Sequence, residues 1–230
     1  MAKNLDNILT PAVRKKYGEL ERLMCEQFGW KSAHKFQIDG TLLQLLGHDT
    51  IVHVGTGRGK TAVAAGPLVL PANAQKLSIV VSPLVALQEE MKVTFENTFK
   101  LQAMVINSNT TSSLSSILSE IRSGRVRIIL VSPETLLSRR IVDGLLRDPT
   151  IAKTILSVII DEAHCVSFWS DTFRKKYGAL HIIRPFLPRN TPIVALSATL
   201  TPRVRRDIIA PVKHGPSQLH ISHIVHIDLR

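Results

Sequence analysis

The sequence is poor in cysteine, in acidic residues and in long apolar runs, and each shortage narrows the possible functions. Its two cysteines, Cys25 and Cys165, lie far apart without CxxC spacing, which argues against a disulfide framework or a zinc site and favours a reducing compartment. No apolar run approaches the roughly 18 residues that a membrane span needs. Residues 1–18 carry charges without the apolar core of a secretory signal. We therefore expect an intracellular protein with no membrane segment.

Acidic residues are scarce relative to basic ones, because 18 Asp and Glu stand against 29 Lys and Arg, a net charge of +11. This surplus makes polyanions plausible partners, although it could also serve only solubility. The basic residues form clusters, namely Arg14-Lys15-Lys16, Arg139-Arg140, Arg174-Lys175-Lys176, and Arg203 with Arg205 and Arg206. Any one cluster alone fits a solvated face, but their positions beside the motifs below favour nucleic acid.

The pattern of apolar segments predicts the fold. Six β-rich runs are expected as strands: Thr50–Val54, Leu77–Ser82, Ala103–Ile106, Val126–Ser132, Leu156–Ile160 and Pro192–Leu196. Helical patterns separate them: Lys60–Val69, Val85–Thr98, Leu114–Ser123, Glu134–Leu146, Lys176–Phe186 and Arg203–Ile209. Continuous apolar strands separated by helices predict an α/β fold, with a mostly parallel sheet covered by helices on both faces. Ligands of such sheets bind at the carboxyl ends of the strands.

The two ends of the chain are predicted separately from this domain. We expect a helical extension over residues 1–35, an α/β domain over 36–212, and, over 213–230, either a tail or the start of a crossover to a further domain. Apolar residues at helical spacing mark the extension: Leu20, Leu23, Met24 and Phe28. In the tail, His220, His223 and His226 could suggest a metal site, but the interleaved isoleucines and valine favour a strand.

The segment IVHVGTGRGKT, residues 51–61, has the strand–loop–helix layout of a nucleotide phosphate cradle. Its glycines allow backbone amides to approach phosphates, and the following helix points its positive dipole end at them. Lys60 would reach the β and γ phosphates, and the Thr61 hydroxyl would ligate Mg²⁺. The predicted nucleotide-binding residues of the loop are Gly55, Thr56, Gly57, Arg58, Gly59, Lys60 and Thr61. A glycine-rich turn that only closes a strand–helix connection is the alternative, which the Lys-Thr spacing disfavours.

An acidic pair follows another predicted strand, in Asp161-Glu162-Ala163-His164. Unpaired buried carboxylates are costly, and Mg²⁺ would supply a reason for them. Asp161 would hold the metal, while Glu162 would polarise the water that attacks the γ-phosphate. The alternative is an acidic strand end that caps the next helix. The phosphate loop on another strand of the same predicted sheet favours the metal interpretation.

With these motifs, the chain resembles the first RecA-like domain of superfamily 2 helicases, and more closely the RecQ family of DNA helicases, over roughly Phe28 to Ile209. The most specific part is DEAHCVSFW, residues 161–169, followed by Phe173, Arg174 and Tyr177. The resemblance implies an aromatic-rich loop that couples single-stranded DNA to ATP hydrolysis. Its stacking and charged side chains suit that role, although aromatic residues also fill cores. The implied loop contacts are Phe168, Trp169, Phe173 and Arg174.

Shorter segments match further helicase motifs. Gln37, after Phe28-Gly29-Trp30, looks like a glutamine that hydrogen-bonds adenine. Ser-Pro pairs at two strand ends look like motifs Ia and Ib, although Ser-Pro also simply starts helices. The residues implied for nucleic acid are Ser82, Pro83 and Ser132, those for coupling are Ser197, Ala198 and Thr199, and those for catalysis are Lys60, Asp161, Glu162 and His164.

The resemblance implies an ATP-dependent 3′–5′ DNA helicase in the nucleus, using ATP and Mg²⁺ and acting on single strands or duplex junctions. Departures affect coupling and base contacts: Phe168 replaces a usual glutamine, residues 170–172 replace Gly-His-Asp, and residues 33–36 replace Phe-Arg-Pro-Gly. The 21 residues after Ile209 are too few for a second RecA-like domain with arginine fingers, so we expect weak hydrolysis by this chain. A superfamily 2 RNA helicase or translocase, and a truncated relative that only binds ATP or DNA, remain alternatives.

Overall fold

The computed structural model describes residues 10–107, 114–168, 176–209 and 221–226. Within these residues, seven strands form one sheet in the order β3-β4-β2-β5-β6-β1-β7, and every neighbouring pair is parallel. The strands are β1 Asp49–His53, β2 Leu77–Val81, β3 Ala103–Ile106, β4 Ile128–Val131, β5 Ile155–Ile160, β6 Ile193–Ser197 and β7 Ile221–His226. The six strands expected between residues 50 and 196 are confirmed, with ends that shift by at most two residues.

Helices and single turns connect the strands. The α-helices are α1 Pro11–Phe28, α2 Lys35–Leu45, α3 Ala62–Ala65, α4 Val85–Asn97, α5 Leu114–Arg122, α6 Pro133–Leu136, α7 Arg139–Ile141, α8 Pro149–Ala152, α9 Cys165–Phe168 and α10 Pro202–Ile209. Three 3₁₀-helices cover Gly66–Val69, Pro71–Asn73 and Ala179–Phe186, and a π-helical turn covers Val142–Leu146. None of the helices among the described residues is long and apolar enough to cross a membrane.

Two predicted helices are shorter than expected, for local reasons. The helix after the phosphate loop changes from α to 3₁₀ geometry at Gly66, because Pro67 lacks a backbone N–H and its ring disfavours a continuing α-helix. The stretch expected as one helix, Glu134–Leu146, is split at Ser138, which has extended backbone angles and caps α7 by accepting a hydrogen bond from the Ile141 amide. Serine competes with the helical backbone in this way.

Alternating side chains of the buried strands build two cores. Ile79 and Val81 point to one face, which helices α5 to α10 cover, and Val80 points to the other, which α1 to α4 cover. Such double-sided burial explains why the strands are almost continuously apolar. The predicted stripe on α1 is confirmed, since Leu20, Met24 and Phe28 are buried in the second core and Leu23 packs against it. The helical extension therefore shares a core with the sheet, while the proposed domain boundaries stay predictions.

A buried ion pair ties β1 to β6 near the amino ends of the strands. Asp49 is 3% exposed, and its Oδ1 accepts a hydrogen bond from the Ile193 amide at 2.8 Å. Its Oδ2 lies 3.2 Å from Nη2 of Arg184, whose other terminal nitrogen donates to the Thr191 carbonyl. A buried charge needs such partners, so this pair fixes the register in which β1 lies beside β6.

The tail forms the strand that the interleaved apolar residues predicted. β7 pairs in parallel with β1, so that His223 aligns with Thr50 and His226 with His53. His220 lies outside the described residues. Among the described residues, no group of three metal-binding side chains is positioned to hold an ion. The strand interpretation of the tail is confirmed for residues 221–226.

Candidate nucleotide and nucleic-acid site

The strand order brings three of the predicted motifs together. β5, β6 and β1 are consecutive in the sheet, and their carboxyl ends lead into Asp161, Ala198 and the phosphate loop, respectively. These segments are far apart in the sequence, and the parallel pairing of their strands brings them next to one another. The predicted nucleotide-binding, catalytic and coupling residues therefore meet at one edge of the sheet.

The phosphate loop is open where a ligand would approach. Residues 56–59 are exposed, and a side chain added at Gly55 or Gly57 would meet no atom within 4 Å. Gly57 and Gly59 have φ values of +71° and +77°, a region that favours glycine. Nζ of Lys60 folds back to donate to the Val54 carbonyl at 3.1 Å. The loop thus holds its lysine within reach of the space above the glycines.

Val54, which stands where the strict phosphate-loop pattern has glycine, is buried and uses both of its backbone groups. Its carbonyl receives the Lys60 hydrogen bond, and its amide donates to the Ser197 carbonyl at 3.0 Å. The valine side chain is 2% exposed and belongs to the core under α2 and α3. The Val54 backbone therefore links the phosphate loop to the end of β6. Because its side chain packs in the core, no glycine is needed at this position to keep space open.

Helix α2 holds the phosphate loop from the side, mainly through polar residues on one face. Nε2 of Gln37 donates to the Gly59 carbonyl at 3.1 Å, and Nε2 of Gln44 donates to the Val63 carbonyl at 2.7 Å. A Cβ at Gly66 would lie 2.1 Å from Oγ1 of Thr41, so the Thr41 side chain of α2 packs directly against the glycine backbone after α3. The Gln44 contact was not predicted, and its only signal in the sequence is a second glutamine two helical turns after Gln37.

Gln37, predicted to read adenine, has bonds to the protein at both ends of its amide. Its Oε1 accepts from the His34 amide at 2.8 Å, its Nε2 bonds Gly59, and the side chain is 3% exposed. An amide group has a second N–H and a second lone pair, so a base contact remains available to it and stays a prediction. Phe28 and Trp30 of the same segment pack edge-to-face on each other and on Phe99, which is a structural role.

The two carboxylates after β5 lie next to each other in a partly buried position. Burial, reinforced by the neighbouring charge of Glu162, raises the pKa of Asp161 to about 6, while Lys60 acts in the opposite direction. Glu162 has a φ of +47°, which is unusual for a residue with a side chain and marks a strained, functional turn in many sites. Its Oε2 is buried without a hydrogen-bond partner, although Nδ1 of His164 is 3.2 Å away.

This donor set fits Mg²⁺. Two adjacent carboxylates, one with a raised pKa and one with an unsatisfied buried oxygen, would be stabilised by a divalent cation, which prefers oxygen ligands. Thr61 lies at the start of α3, where its side chain makes no capping hydrogen bond. The chemistry of Asp161, Glu162 and Thr61 therefore agrees with the metal site that the sequence predicted.

Ser197, at the end of β6, connects the predicted catalytic and coupling residues. Its hydroxyl donates to the Thr199 carbonyl at 2.6 Å and accepts from the Thr199 amide at 3.2 Å. The same oxygen is 3.4 Å from Nδ1 of His164. Ala198, between Ser197 and Thr199 in the chain, is half-buried. The serine thus fixes the shape of the turn after β6 and places it against the histidine that follows the acidic pair.

Neither serine of the two Ser-Pro pairs presents a free hydroxyl at the surface, because one is buried and the other caps a helix. Ser82 is fully buried, and its Oγ has no hydrogen-bond partner; Pro83 is buried beside it. Ser132 caps α6 by accepting a hydrogen bond from the Thr135 amide at 3.2 Å. The hydroxyl of Ser82 does not reach the surface in this conformation. The predicted nucleic-acid contacts at these sites stay predictions, and the first amides of α4 and α6 are the groups left to make them.

The aromatic-rich loop is described only at its two ends. Phe168 ends α9, while Trp169, Phe173 and Arg174 lie outside the described residues. Before the loop, Oγ of Ser167 donates to Oδ2 of Asp207 on α10 at 2.6 Å. After it, the Tyr177 hydroxyl donates to the Asp161 carbonyl at 3.2 Å, and burial strongly raises the pKa of this phenol. The described residue before the loop is thus bonded to α10, and the one after it is bonded to the acidic motif.

Comparison with known sequences identifies the family. The pattern of the family described as DEAD/DEAH box helicase matches residues 36–208, most of the chain. The chain belongs to this family. The match contains the phosphate loop, the acidic pair and Ser197, so the three motifs that meet at the sheet edge are those of a helicase domain.

The curated relatives are RecQ-like. The chain is 30% identical to RecQ-like DNA helicase blm-1 of Caenorhabditis elegans over 92% of its own length and 22% of that protein. It is 34% identical to ATP-dependent helicase wrn-1 of the same organism over 82% of its length and 17% of that protein. It is also 30% identical to ATP-dependent DNA helicase RecQ of Pasteurella multocida, over 79% of the chain and 27% of the relative. The resemblance to RecQ-like helicases is confirmed, and the chain spans about a sixth to a quarter of the length of these relatives.

Solved structures confirm the RecA-like fold. The crystal structure of DUF1998 helicase MrfA bound to DNA and AMPPNP matches with a TM-score of 0.63 at 13% identity, over 91% of this chain and 29% of that one. The Pyrococcus furiosus Hef helicase domain matches 99% of this chain, and 40% of its own, with a TM-score of 0.57 at 16% identity. At such identities the likeness concerns the fold alone.

Proposed function

We propose that this chain is the ATP-binding domain of a RecQ-like 3′–5′ DNA helicase. The observation that carries the proposal is the convergence of the phosphate loop, the Asp161–Glu162 pair and Ser197 on three consecutive strands. The helicase relatives, two of them ATP-dependent helicases and two of them DNA helicases, support ATP and DNA as ligands. ATP, single-stranded DNA or duplex junctions, and a nuclear location are parts of this proposal.

The loop residues would bind the nucleotide. The exposed backbone of residues 56–59 would present amides to the phosphates. Lys60 would exchange the Val54 carbonyl for a phosphate oxygen, which is a stronger, charge-assisted partner. The second N–H and the second lone pair of the Gln37 amide would hydrogen-bond the adenine base. The existing bonds of Gln37 to His34 and Gly59 would fix the distance between this base contact and the phosphate loop.

The carboxylates would divide the remaining tasks. Asp161 and Thr61 would hold Mg²⁺, which when bound neutralises charge on the phosphates. Glu162, whose Oε2 is unsatisfied, would accept a proton from the attacking water. His164, 3.4 Å from the Ser197 hydroxyl, would transmit the state of the phosphates to the turn after β6.

Hydrolysis by the chain alone is expected to be slow. In phosphoryl transfer, an arginine finger supplied by another domain or protein contributes about 10³–10⁵ in rate. The curated relatives are four to six times longer than the matched region, and we propose that a second RecA-like domain supplies this group. Binding, in contrast, needs only the groups described above.

The test is nucleotide binding and single-turnover hydrolysis by wild type and Lys60→Ala. Loss of a hydrogen bond between charged partners costs about 1.5–3 kcal/mol, so the variant should bind a fluorescent ATP analogue with Mg²⁺ roughly 10- to 150-fold more weakly. Lys76→Ala is the matched control, because Lys76 donates to the Lys153 carbonyl and lies before β2, at the opposite edge of the sheet. Equal affinity and rate for wild type and Lys60→Ala would refute the proposal. Titration with single-stranded DNA and RNA separates the DNA helicase from an RNA-directed relative.

A further inference from the structure

A second concave site lies at the edge of the sheet opposite the phosphate loop. It is a cavity of about 400 Å³ beneath the amino ends of β2, β5, β6 and β1, and the segments that precede these strands form its walls. The four strands are consecutive in the sheet. Each has five or six residues, so about 16–20 Å of strand separates the cavity from the nucleotide motifs. The cavity is therefore separate from the nucleotide site.

The charged side chains that line this cavity are all cationic. They are Lys76, Lys153 and Arg189, and the described residues of the lining include no aspartate or glutamate. Lys153 and Arg189 are exposed, and neither side chain forms a hydrogen bond or ion pair with another described residue. Nζ of Lys76 donates to the Lys153 carbonyl at 2.8 Å, a neutral acceptor that binds an ammonium group less strongly than a carboxylate does.

Two buried charged residues near the cavity leave this positive charge in place. Asp49, at the start of β1, already pairs with Arg184. Behind the wall, the guanidinium group of Arg127 donates to three carbonyls, among them those of Lys76 and Asn73. These acceptors are neutral, so Arg127 adds a further cation. An anionic ligand would therefore meet a positive potential when it enters the cavity.

The wall formed by residues 188–192 has its shape before any ligand binds. Asn190 has a φ of +67°, a region that asparagine enters more readily than most other residues. A Cβ at Gly47 would lie 3.1 Å from the Asn190 carbonyl oxygen, so the wall packs closely on the turn before β1. The Thr191 carbonyl accepts a hydrogen bond from Arg184. Because these contacts already order the wall, a ligand loses little affinity to ordering it.

The apolar part of the lining indicates which anion fits. Leu46, at the end of α2, is 36% exposed, and Ile155 and Leu156 of β5 line the cavity with it. A free phosphate ion would leave these side chains without a partner. No aromatic side chain is among the described residues of the lining, so bases of a single-stranded nucleic acid would find no stacking surface. A short peptide with carboxylates and an apolar side chain would match both parts.

We propose that this cavity binds a short acidic segment of a partner protein, anchored by one apolar side chain. The carboxylates pair with Lys76, Lys153 and Arg189, and the apolar side chain packs on Leu46 and the start of β5. The volume of about 400 Å³ lies in the lower part of the range of about 300–1,000 Å³ for ligand sites. The inference does not rest on the proposed function, because no nucleotide- or nucleic-acid-binding residue of that proposal lines the cavity.

The experiment measures the fluorescence polarisation of a fluorescein-labelled hexapeptide of aspartate and leucine on titration with the 230-residue chain. An exposed ion pair contributes up to about fivefold in affinity, and charge reversal adds repulsion. Lys153→Glu/Arg189→Glu should therefore weaken binding by about 10-fold or more. Raising the salt concentration from about 0.1 M to about 1 M should also weaken it, because the Debye length falls from about 10 Å to about 3 Å.

The apolar anchor is tested separately. Leu46→Gln keeps the size of an exposed side chain and removes its apolar surface, so the affinity for the hexapeptide should fall by about two- to fivefold. A peptide with alanine in place of leucine should bind wild type more weakly and should distinguish little between wild type and Leu46→Gln. Equal affinity of wild type for the leucine and alanine peptides would contradict the anchor.

A matched variant excludes an effect of net charge alone. Arg205→Glu/Arg206→Glu makes the same change in charge on the exposed side of α10, which follows the carboxyl end of β6. At that distance from the cavity its charges are largely screened, so the affinity for the hexapeptide should stay within about twofold of wild type. A hexapeptide of lysine and leucine supplies the rescue, since it should bind Lys153→Glu/Arg189→Glu more tightly than wild type. Thermal unfolding of each variant shows whether the fold is retained.

The results that overturn the proposal are distinct from a failure of the proposed function, which the affinity for a fluorescent ATP analogue reports. If a peptide with asparagine in place of aspartate binds wild type equally well, the site does not select carboxylates. If both double variants lose affinity equally, the net charge of +11 attracts the peptide and the cavity does not. If Lys153→Glu/Arg189→Glu weakens binding of fluorescein-labelled oligo(dT) but not of the peptide, the cavity is a nucleic-acid site. Each of these results overturns the inference.

Discussion

The two halves of the carboxyl edge of the sheet differ in how they use their motif residues. In the half formed by β5, β6 and β1, the motif residues lie close together. Lys60 and Glu162 both act on the charge of Asp161, and Ser197 contacts the segments that carry the acidic pair and the phosphate loop. In the half formed by β2 and β4, Ser82 is buried and Ser132 caps its own helix. The first half carries its chemistry on side chains, while the second presents helix starts and the surface around them.

The difference teaches where a sequence motif names a function and where it names a backbone shape. A metal ion needs particular side-chain atoms, and the proposed nucleotide site adds the Lys60 side chain to the backbone amides of its loop, so Lys60 and the acidic pair can be interpreted residue by residue. A nucleic-acid phosphate can be bound by free amides at a helix start, and then the motif serine only shapes the turn. Mutations should therefore have large effects in the first half and small ones in the second.

The largest effect is expected from Glu162→Gln. A group that acts as general base contributes about 10²–10⁴ to the rate, so single-turnover hydrolysis should fall by that factor while nucleotide binding is retained. Glu134→Gln is the matched control in the other half, because Glu134 lies in the first turn of α6. A Glu162→Gln chain that hydrolyses ATP at the wild-type rate would remove the contrast between the halves.

A smaller but clear effect is expected from Gly66→Ala, which tests how α2 holds the phosphate-loop helix. The new methyl group would lie 2.1 Å from Oγ1 of Thr41, so the free energy of unfolding should fall by about 1–3 kcal/mol. Urea unfolding measures it. Gly18→Ala, where no atom lies within 4 Å, should instead stabilise α1 by about 0.5–1 kcal/mol. The Thr41→Ala change should recover part of the loss, and a neutral Gly66→Ala would contradict the close approach.

The smallest effects are expected at the motif serines. Ser132→Ala removes a helix cap and should cost about 1 kcal/mol of stability. Ser82→Ala removes a buried hydroxyl that has no partner, so it should be neutral or slightly stabilising. Both variants should keep oligo(dT) affinity within about twofold, since neither hydroxyl is offered to a ligand. A large loss of oligo(dT) affinity in Ser82→Ala would show that the segment around Ser82 opens on binding. It would also weaken the contrast between the two halves.

The sequence was sufficient for the elements whose cause is local. The apolar run of β5 predicted a buried strand, and the glycines before Lys60 predicted a turn with left-handed backbone angles. Both predictions agree with the structure. Pro67 is also a local cause visible in the sequence, since it ends the α-helix after the phosphate loop. The RecQ-like relatives then confirmed the resemblance that DEAHCVSFW carried.

Contacts between distant residues could not be predicted. Asp49 and Arg184 are 135 positions apart, and Ser167 and Asp207 are 40 apart. Each partner alone is an ordinary polar residue, and only the packing of the sheet and its helices brings the two together. The burial of Ser82 has the same origin, because it depends on the packing around the end of β2, where the Ser82 amide still pairs with the Val131 carbonyl of β4.

The pairing of β7 with β1 determines which strand forms the rim of the sheet. With β7 in place, the strand that carries the phosphate loop has a neighbour on each side. In a chain shortened after Ile209, β1 would expose a row of unpaired amides and carbonyls on an apolar strand, a surface that invites pairing with other molecules. β7 therefore covers the edge of β1, and we expect a chain without it to self-associate at high protein concentration.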